Sequence, residues 1–409
     1  MRFKALLYRK VLQRIFGKLL LLCFCFVLPG CASGKLGDAS TAASSVPAEQ
    51  MIEKSAELKE EQTRLPVSPG TAFEVRGRIL TWRDGKQAAC SITFDDGTMD
   101  QYSLGAPLLD AYGLRGTFFI ITGPRDEGVW KDNEKQRSLF SWEQAVLLAE
   151  GGHEIGSHSV GHPDLRQLDR EGQKETVIAE LQDSAEAIRR RISPELLSSE
   201  GGLTFCWPYW RTNGNLVKEA EQFYLAARAG EGPFMSSIVR DPYEIHSEMV
   251  LSTDSFPGWV RKLQISSQLR GWTVFSFHGF YSAGGNTKAS GWQPVSTGKM
   301  EALLLHLSEN SFWTAPFGEV FRYAVERQAA VLDIEEVSPD GIVIKLEDGL
   351  DDSMYSQPLS VEIFPPGDMN IEIIKSARDE EIPFQLLENG WLRFDVRPDG
   401  SPIILKSSP

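Results

Sequence analysis

The chain has 409 residues, with 42 Lys and Arg against 56 Asp and Glu and a formal net charge of −14. At 42% hydrophobic and 24% charged residues it lies in the globular range, which excludes a disordered or collagen-like chain, and it is longer than the roughly 250–300 residues at which single cores stop growing. The acidic balance also speaks against a nucleic-acid partner, because phosphate binding depends on clustered Lys and Arg.

The first segment carries Arg2, Lys4, Arg9, Lys10, Arg14 and Lys18 without an acid, followed by the apolar run Leu19 to Leu28. That run is shorter than the roughly 20 residues a membrane-spanning helix needs, so residues 1–30 read as a signal peptide. Leu28-Pro29-Gly30-Cys31 resembles a bacterial lipobox. The resemblance implies lipidation of Cys31 and an exported lipoprotein anchored in the bacterial cell envelope, with Ala32 indicating the outer membrane if the cell is Gram-negative. Residues 31–72 are rich in Ala, Ser and Gly and include the mixed charge run Glu53 to Arg64, the composition of a solvated tether. Of the remaining cysteines, Cys90 is expected at the start of one strand and Cys206 near the end of another. Strand ends of this kind lie roughly 16 Å apart, too far for a disulfide.

Continuous apolar runs follow at Cys90 to Phe94, Gly116 to Ile121, Leu203 to Trp207, Tyr224 to Ala227 and Trp272 to Phe277. Runs apolar on both faces suit strands of a parallel sheet covered by helices. Helices are expected after the capping box Ser141/Gln144 and at Glu175 to Arg191, Pro257 to Leu269, Lys299 to Leu307 and Gly318 to Arg327. About seven βα units in residues 73–328 predict a barrel-like α/β domain with its site at the C-terminal strand ends. From residue 329 to 409, short alternating runs separated by Pro-Asp-Gly, Pro-Pro-Gly-Asp and Glu-Asn-Gly turns predict a small all-β domain of sandwich type.

The chemistry-bearing residues sit at the ends of the predicted strands. Thr93-Phe94-Asp95-Asp96-Gly97 places two adjacent carboxylates at a strand end, where they repel unless a cation or a shared proton intervenes. His158-Ser159-Val160-Gly161-His162 spaces two imidazoles four apart, which one helical turn would align for a metal. His153 lies in the same stretch and is expected to support that loop without ligating.

These two motifs, in this order, resemble those of the polysaccharide deacetylase family, the NodB-homology or family 4 carbohydrate esterases, over roughly residues 80–328. The resemblance implies a distorted (β/α)7 barrel. It implies that Asp96, His158 and His162 hold a divalent metal, zinc before cobalt or nickel, and that Asp95 is the general base. In the third motif Phe205-Cys206-Trp207-Pro208-Tyr209-Trp210 carries Cys206 where the family has a base-orienting Arg. Tyr209 inherits the oxyanion-binding N–H, and Arg228, with Arg211 as rival, is expected to replace the missing charge. The last motif, Val274 to His278, makes His278 the general acid, with Asp254, or failing that Asp241, expected to orient it. Trp207, Trp210 and Trp259 are expected to form a sugar platform alongside Tyr209, while Trp130 packs.

The expected function is metal-dependent removal of N- or O-acetyl groups from an acetylated glycan in the cell envelope. The alternative is a non-catalytic glycan-binding protein on the same fold, an idea the altered third motif encourages.

Overall fold

A nine-residue strand buried along its entire length must be covered on both faces, and Ala88–Asp96 is such a strand. It is the first of seven barrel strands in the computed structural model, which describes residues 75–132, 135–197, 202–232, 236–282, 289–367 and 369–408. The strands are β1 (Ala88–Asp96), β2 (Thr117–Ile120), β3 (Glu154–Ser157), β4 (Thr204–Cys206), β5 (Ala226–Glu231), β6 (Ile245–Met249) and β7 (Trp272–Phe277). Each pairs in parallel with the next, and β7 returns to β1 with Trp272 opposite Ala89 and Phe277 opposite Phe94, so the sheet closes. All seven C-terminal ends therefore face one end of the barrel. A further short strand, Phe312–Thr314, lies along Ala88–Cys90 of β1, on the edge that β2 meets only from Thr93 onward.

The helices follow their sequence signals. Ser141 Oγ accepts from the Gln144 N–H (3.3 Å) and Gln144 Oε1 from the Ser141 N–H (2.8 Å), so both halves of the capping box start Trp142–Glu150. Lys174–Arg191, Phe256–Gln268, Thr297–Glu309 and Phe317–Ala329 occupy the expected stretches. Cys90 and Cys206 are buried free thiols.

After Ala329 the chain forms two four-stranded antiparallel sheets. One runs Val331–Ser338, Gly341–Glu347, Asp399–Ser407, Ile371–Ser376 in spatial order. The other contains Leu359–Phe364, Leu392–Val396 and Phe384–Leu386, and its fourth member is Arg76–Ile79, which pairs with Leu359–Phe364. The boundary drawn from the sequence assigned Arg76–Ile79 to the barrel, but this strand completes the accessory sheet. Local pattern cannot show this, because the partner strand, Leu359–Phe364, lies beyond the entire barrel in the sequence. The apolar core runs on from Trp82, Phe317 and Tyr323 into Leu346, Val361 and Phe394, so the two layers share their packing. Residues 1–30, 31–72 and Cys31 fall outside the described residues.

Candidate active site

Asp95 and Asp96 close β1. The chain leaves the strand through two left-handed residues, Asp96 (φ 77°) and Gly97 (φ 74°), a conformation that costs a non-glycine residue. Gly97 is also needed for space, since a Cβ there would lie 2.3 Å from Arg125 Nη2. The buried Arg125 donates to the carbonyls of Ile121 (3.0 Å), Asp96 (3.3 Å) and Phe140 (2.5 Å), and so holds the turn that aims Asp96. Nothing in the sequence around Arg125 had marked it.

His158 and His162 follow β3. Their spacing suggested a helical turn, but they sit on an irregular loop in which Ser159 (φ 67°) and His162 (φ 60°) are left-handed. The loop doubles back until the two rings lie 4.6 Å apart. Ser159 Oγ accepts from the His162 N–H (2.9 Å), and the Glu180 carboxylate accepts from the N–H groups of Val160 (2.9 Å) and Gly161 (2.8 Å). His158 Nδ1–H donates to the Cys206 carbonyl (2.8 Å), which leaves the lone pair on Nε2. Both Nε2 atoms face one oxygen of Asp96, at 3.7 Å and 3.9 Å. The donor atoms of Asp96, His158 and His162 lie within 4.8 Å of one another. His153 stands apart, accepting from the Gly116 N–H (3.1 Å).

Burial lowers both imidazoles, His162 to about 2, so both are neutral donors at neutral pH. Burial, with the charge of Asp95 beside it, pushes Asp96 up to about 8. A carboxylate so placed keeps its charge only beside a cation, and among the described residues His162 Nδ1 is a buried atom with no hydrogen-bond partner. Two neutral imidazoles and one carboxylate fit a divalent ion of the zinc, cobalt or nickel type, with coordination positions left open. Asp95, His158 and Cys206 also lie close enough for a metal, but Arg228 donates to both Asp95 and Cys206 and fills that side with its own positive charge.

Asp95 itself is buried. Arg228 Nη2 donates to both of its oxygens, at 2.5 Å to Oδ1, and to Cys206 Sγ at 2.7 Å, while Nη1 donates to Ser247 Oγ (2.7 Å). Ser276 Oγ adds a bond to Asp95 Oδ2 (3.1 Å). Cys206 on β4 and Arg228 on β5 are register partners, and the small thiol leaves room for the guanidinium. Burial alone would raise Asp95, but Arg228, then His278 and His158, outweigh it and hold the carboxyl at about 2. Arg211 instead pairs with Asp164 at the rim.

His278 follows β7, with Nε2 3.4 Å from Asp95 Oδ2. Its Nδ1 is buried without a hydrogen-bond partner among the described residues, and burial lowers the imidazole to about 4. The expected support from Asp254 is absent. Asp254 Oδ2 accepts from the Leu251 N–H (2.9 Å) and from Trp259 Nε1 (3.4 Å), closing its own turn, and Asp241 accepts from the Tyr243 N–H (2.8 Å).

One cleft of about 420 Å³ brings together Asp95, Asp96, His158, His162, Trp207, Tyr209, Trp210 and His278. The platform differs from expectation. Trp259 is buried against Phe275 and Phe277, and Trp207 is a fully buried floor residue bonded to the Tyr243 carbonyl (2.9 Å). The accessible walls are Tyr209, Trp210, Trp130 and Trp292. Trp130 lies on the hairpin of Val129–Asp132 and Lys135–Ser138, 5.2 Å from the His162 ring, and Trp292 stands 5.1 Å from that of His278. Exposure alternates along Val129–Asp132, but two apolar residues followed by two charged ones carry no period of two in the sequence, so that strand had no local signal. Tyr209 (φ 57°) and Trp210 (φ 57°) are both left-handed, which turns the Tyr209 ring out over His162 at 4.7 Å.

Residues 83–227 match the family model for polysaccharide deacetylase. Over these residues, about a third of the chain, the sequence is similar to that family. The matched stretch contains Asp95, Asp96, His158, His162 and Cys206, and it stops one residue short of Arg228. A gellan lyase of Bacillus sp is 25% identical over 329 residues, 75% of this chain and 12% of that protein. A chitin deacetylase of Pestalotiopsis sp is 29% identical over 122 residues, 28% of this chain and 32% of that one. The chain thus spans less than two thirds of the length of either relative. The Xyl-CE4 domain of a multidomain xylanase from the hindgut metagenome of Trinervitermes trinervoides aligns at 15% identity and a TM-score of 0.35, over 57% of this chain and 89% of that one.

Proposed function

We propose that the chain is a metal-dependent hydrolase that removes N- or O-linked acetyl groups from a polysaccharide or oligosaccharide in the cell envelope. The observation that carries this reading is the convergence, in one aromatic-walled cleft, of the Asp96–His158–His162 donor set with an Arg228-held Asp95 and His278.

When bound, a divalent cation supplies Lewis acidity toward an acyl carbonyl and toward water. Asp95, kept ionised and oriented by Arg228, takes the proton of the attacking water. His278 is neutral at working pH and 3.4 Å from Asp95 Oδ2, so it receives that proton and delivers it to the departing nitrogen or oxygen. The Tyr209 N–H, on its left-handed turn at the cleft wall, donates to the oxyanion. The rings of Trp130, Tyr209, Trp210 and Trp292 offer apolar faces to sugar rings. A lipid on Cys31 would tether the enzyme to the membrane.

Acetate release should be measured on chito-oligosaccharides and on acetylxylan, with and without chelator. Release should vanish on chelation and return with added zinc. Asp95→Asn should lower it by at least about 100-fold while zinc remains bound, the loss expected of a general base. No release from any acetylated glycan, or release that persists through chelation, would overturn the reading. The non-catalytic alternative rested on the altered third motif, and the Arg228–Asp95 pair removes that support.

A further inference from the structure

Asp100 is neither in the donor set nor in the cleft wall, yet it is a buried carboxylate with four donors. Thr98 Oγ–H donates to Oδ1 (2.6 Å), and the N–H groups of Phe280 (2.7 Å), Ser290 (3.2 Å) and Gly291 (3.2 Å) donate to Oδ2. Phe280 lies two residues after His278, and Gly291 immediately precedes Trp292. One carboxylate thus pinches together the two ends of the segment that carries His278 at its start and Trp292 at its close. Gln101 adds a tie, its Nε2 donating to the His278 carbonyl (3.1 Å) and also to the Asp95 carbonyl. The pinch is tight: a Cβ on Gly291 would lie 1.7 Å from the His278 oxygen. Among the described residues His278 Nδ1 has no hydrogen-bond partner, so apart from the Nε2 contact with Asp95 (3.4 Å) and the neighbouring Trp292 ring, its aim rests on this backbone.

We propose that Asp100 is a positioning residue, which sets His278 against Asp95 and Trp292 against His278 by clamping Phe280 to Ser290 and Gly291. The proposal rests on the hydrolase reading for the role of His278. Asn at position 100 keeps a carbonyl for the three N–H donors and lets Thr98 Oγ accept, whereas Ala keeps neither.

Asp100→Ala should lower kcat by on the order of 30- to 100-fold with KM changed less than about threefold, the loss expected when a reacting group is misplaced by about 1 Å. Asp100→Asn should recover most of that loss, to within about fivefold of the unmodified enzyme, because the hydrogen-bond geometry survives. Zinc affinity should be unchanged in both. Gly291→Ala, which displaces the His278 carbonyl with Asp100 intact, should reproduce the kcat loss, and it serves if Asp100→Ala fails to fold. Amide exchange gives a readout independent of activity, and in Asp100→Ala the Phe280, Ser290 and Gly291 amides should exchange at least about tenfold faster. Unchanged exchange and kcat in Asp100→Ala would overturn the proposal, as would an Asp100→Asn enzyme as impaired as Asp100→Ala. If the unmodified enzyme releases no acetate, the hydrolase reading fails, and the exchange rates still decide whether the clamp exists.

Discussion

Around Asp95 a guanidinium and a thiol occupy neighbouring strands in the reverse of the arrangement the third motif leads one to expect. Cys206 takes the Arg position on β4, and Arg228, its register partner on β5, reaches the carboxylate from there. What Asp95 requires is a positive charge in a dry place, whichever strand supplies it. Removing that charge leaves a buried carboxylate uncompensated, so Arg228→Cys should destabilise the fold by about 3–5 kcal/mol and abolish acetate release. Adding Cys206→Arg to that variant should restore part of both. Urea unfolding and acetate assays on the single and double variants check this, and a double variant no better than the single one would show that the strand matters. Arg228 was legible as a candidate because it ends an apolar run. Arg125 was not, because a buried arginine among carbonyls has no sequence pattern.

At the scale of elements, the two candidate ligand histidines, His158 and His162, show what spacing can and cannot say. A separation of four suits a helical turn, but the same contact is made by a loop with two left-handed residues, whose positions depend on Glu180 and Cys206 from other elements. The helix Phe317–Ala329 carries a second electrostatic feature. Glu326 is buried, with Oε1 accepting from the Gln357 N–H (2.7 Å) and Oε2 without a hydrogen-bond partner among the described residues. Burial, opposed by that bond and by Arg322 but aided by Asp348 and Asp352, pushes it up to about 8. Between its unfolded value of 4.5 and about 8 the unfolded chain gives up this proton while the folded chain retains it. Stability from this group is therefore full below about 4.5, falls as pH rises, and levels off above about 8. Glu326→Gln should raise the Tm by several degrees at pH 9 and leave it nearly unchanged at pH 4, measured by calorimetry. Equal shifts at both pH values would exclude the titration.

At the scale of the whole molecule, the accessory sheets are a continuation of the barrel's packing. Tyr323 OH donates to the Leu80 carbonyl (3.1 Å) and accepts from the Ser360 N–H (3.3 Å), and Arg83 spans Glu319 (3.2 Å) and Asp395 (3.3 Å). Deleting residues 331–409 would strip Arg76–Ile79 of its partner strand and uncover Trp82 and Phe321. The truncated barrel should be insoluble or unfold at markedly lower temperature, and the full chain should melt in a single transition. A truncated form that melts like the full chain would show the sheets to be an independent module.

The sequence by itself determined the strand and helix periodicity, the seven-unit barrel, the accessory β-layer and the identity of the acids and histidines at the strand ends. Each of these is written in residues close together along the chain, where apolar period, capping residues and short motifs act locally. Only the tertiary structure decided that Arg228 serves Asp95, that Asp254 leaves His278 alone, that Trp130 and Trp292 replace Trp259 at the cleft, and that Arg76–Ile79 completes a sheet at the other end of the chain. Those pairings join residues tens to hundreds of positions apart, and they are set by register, by which side chain fits a neighbour's space, and by where a buried charge finds its opposite. None of these can be read from one stretch of chain.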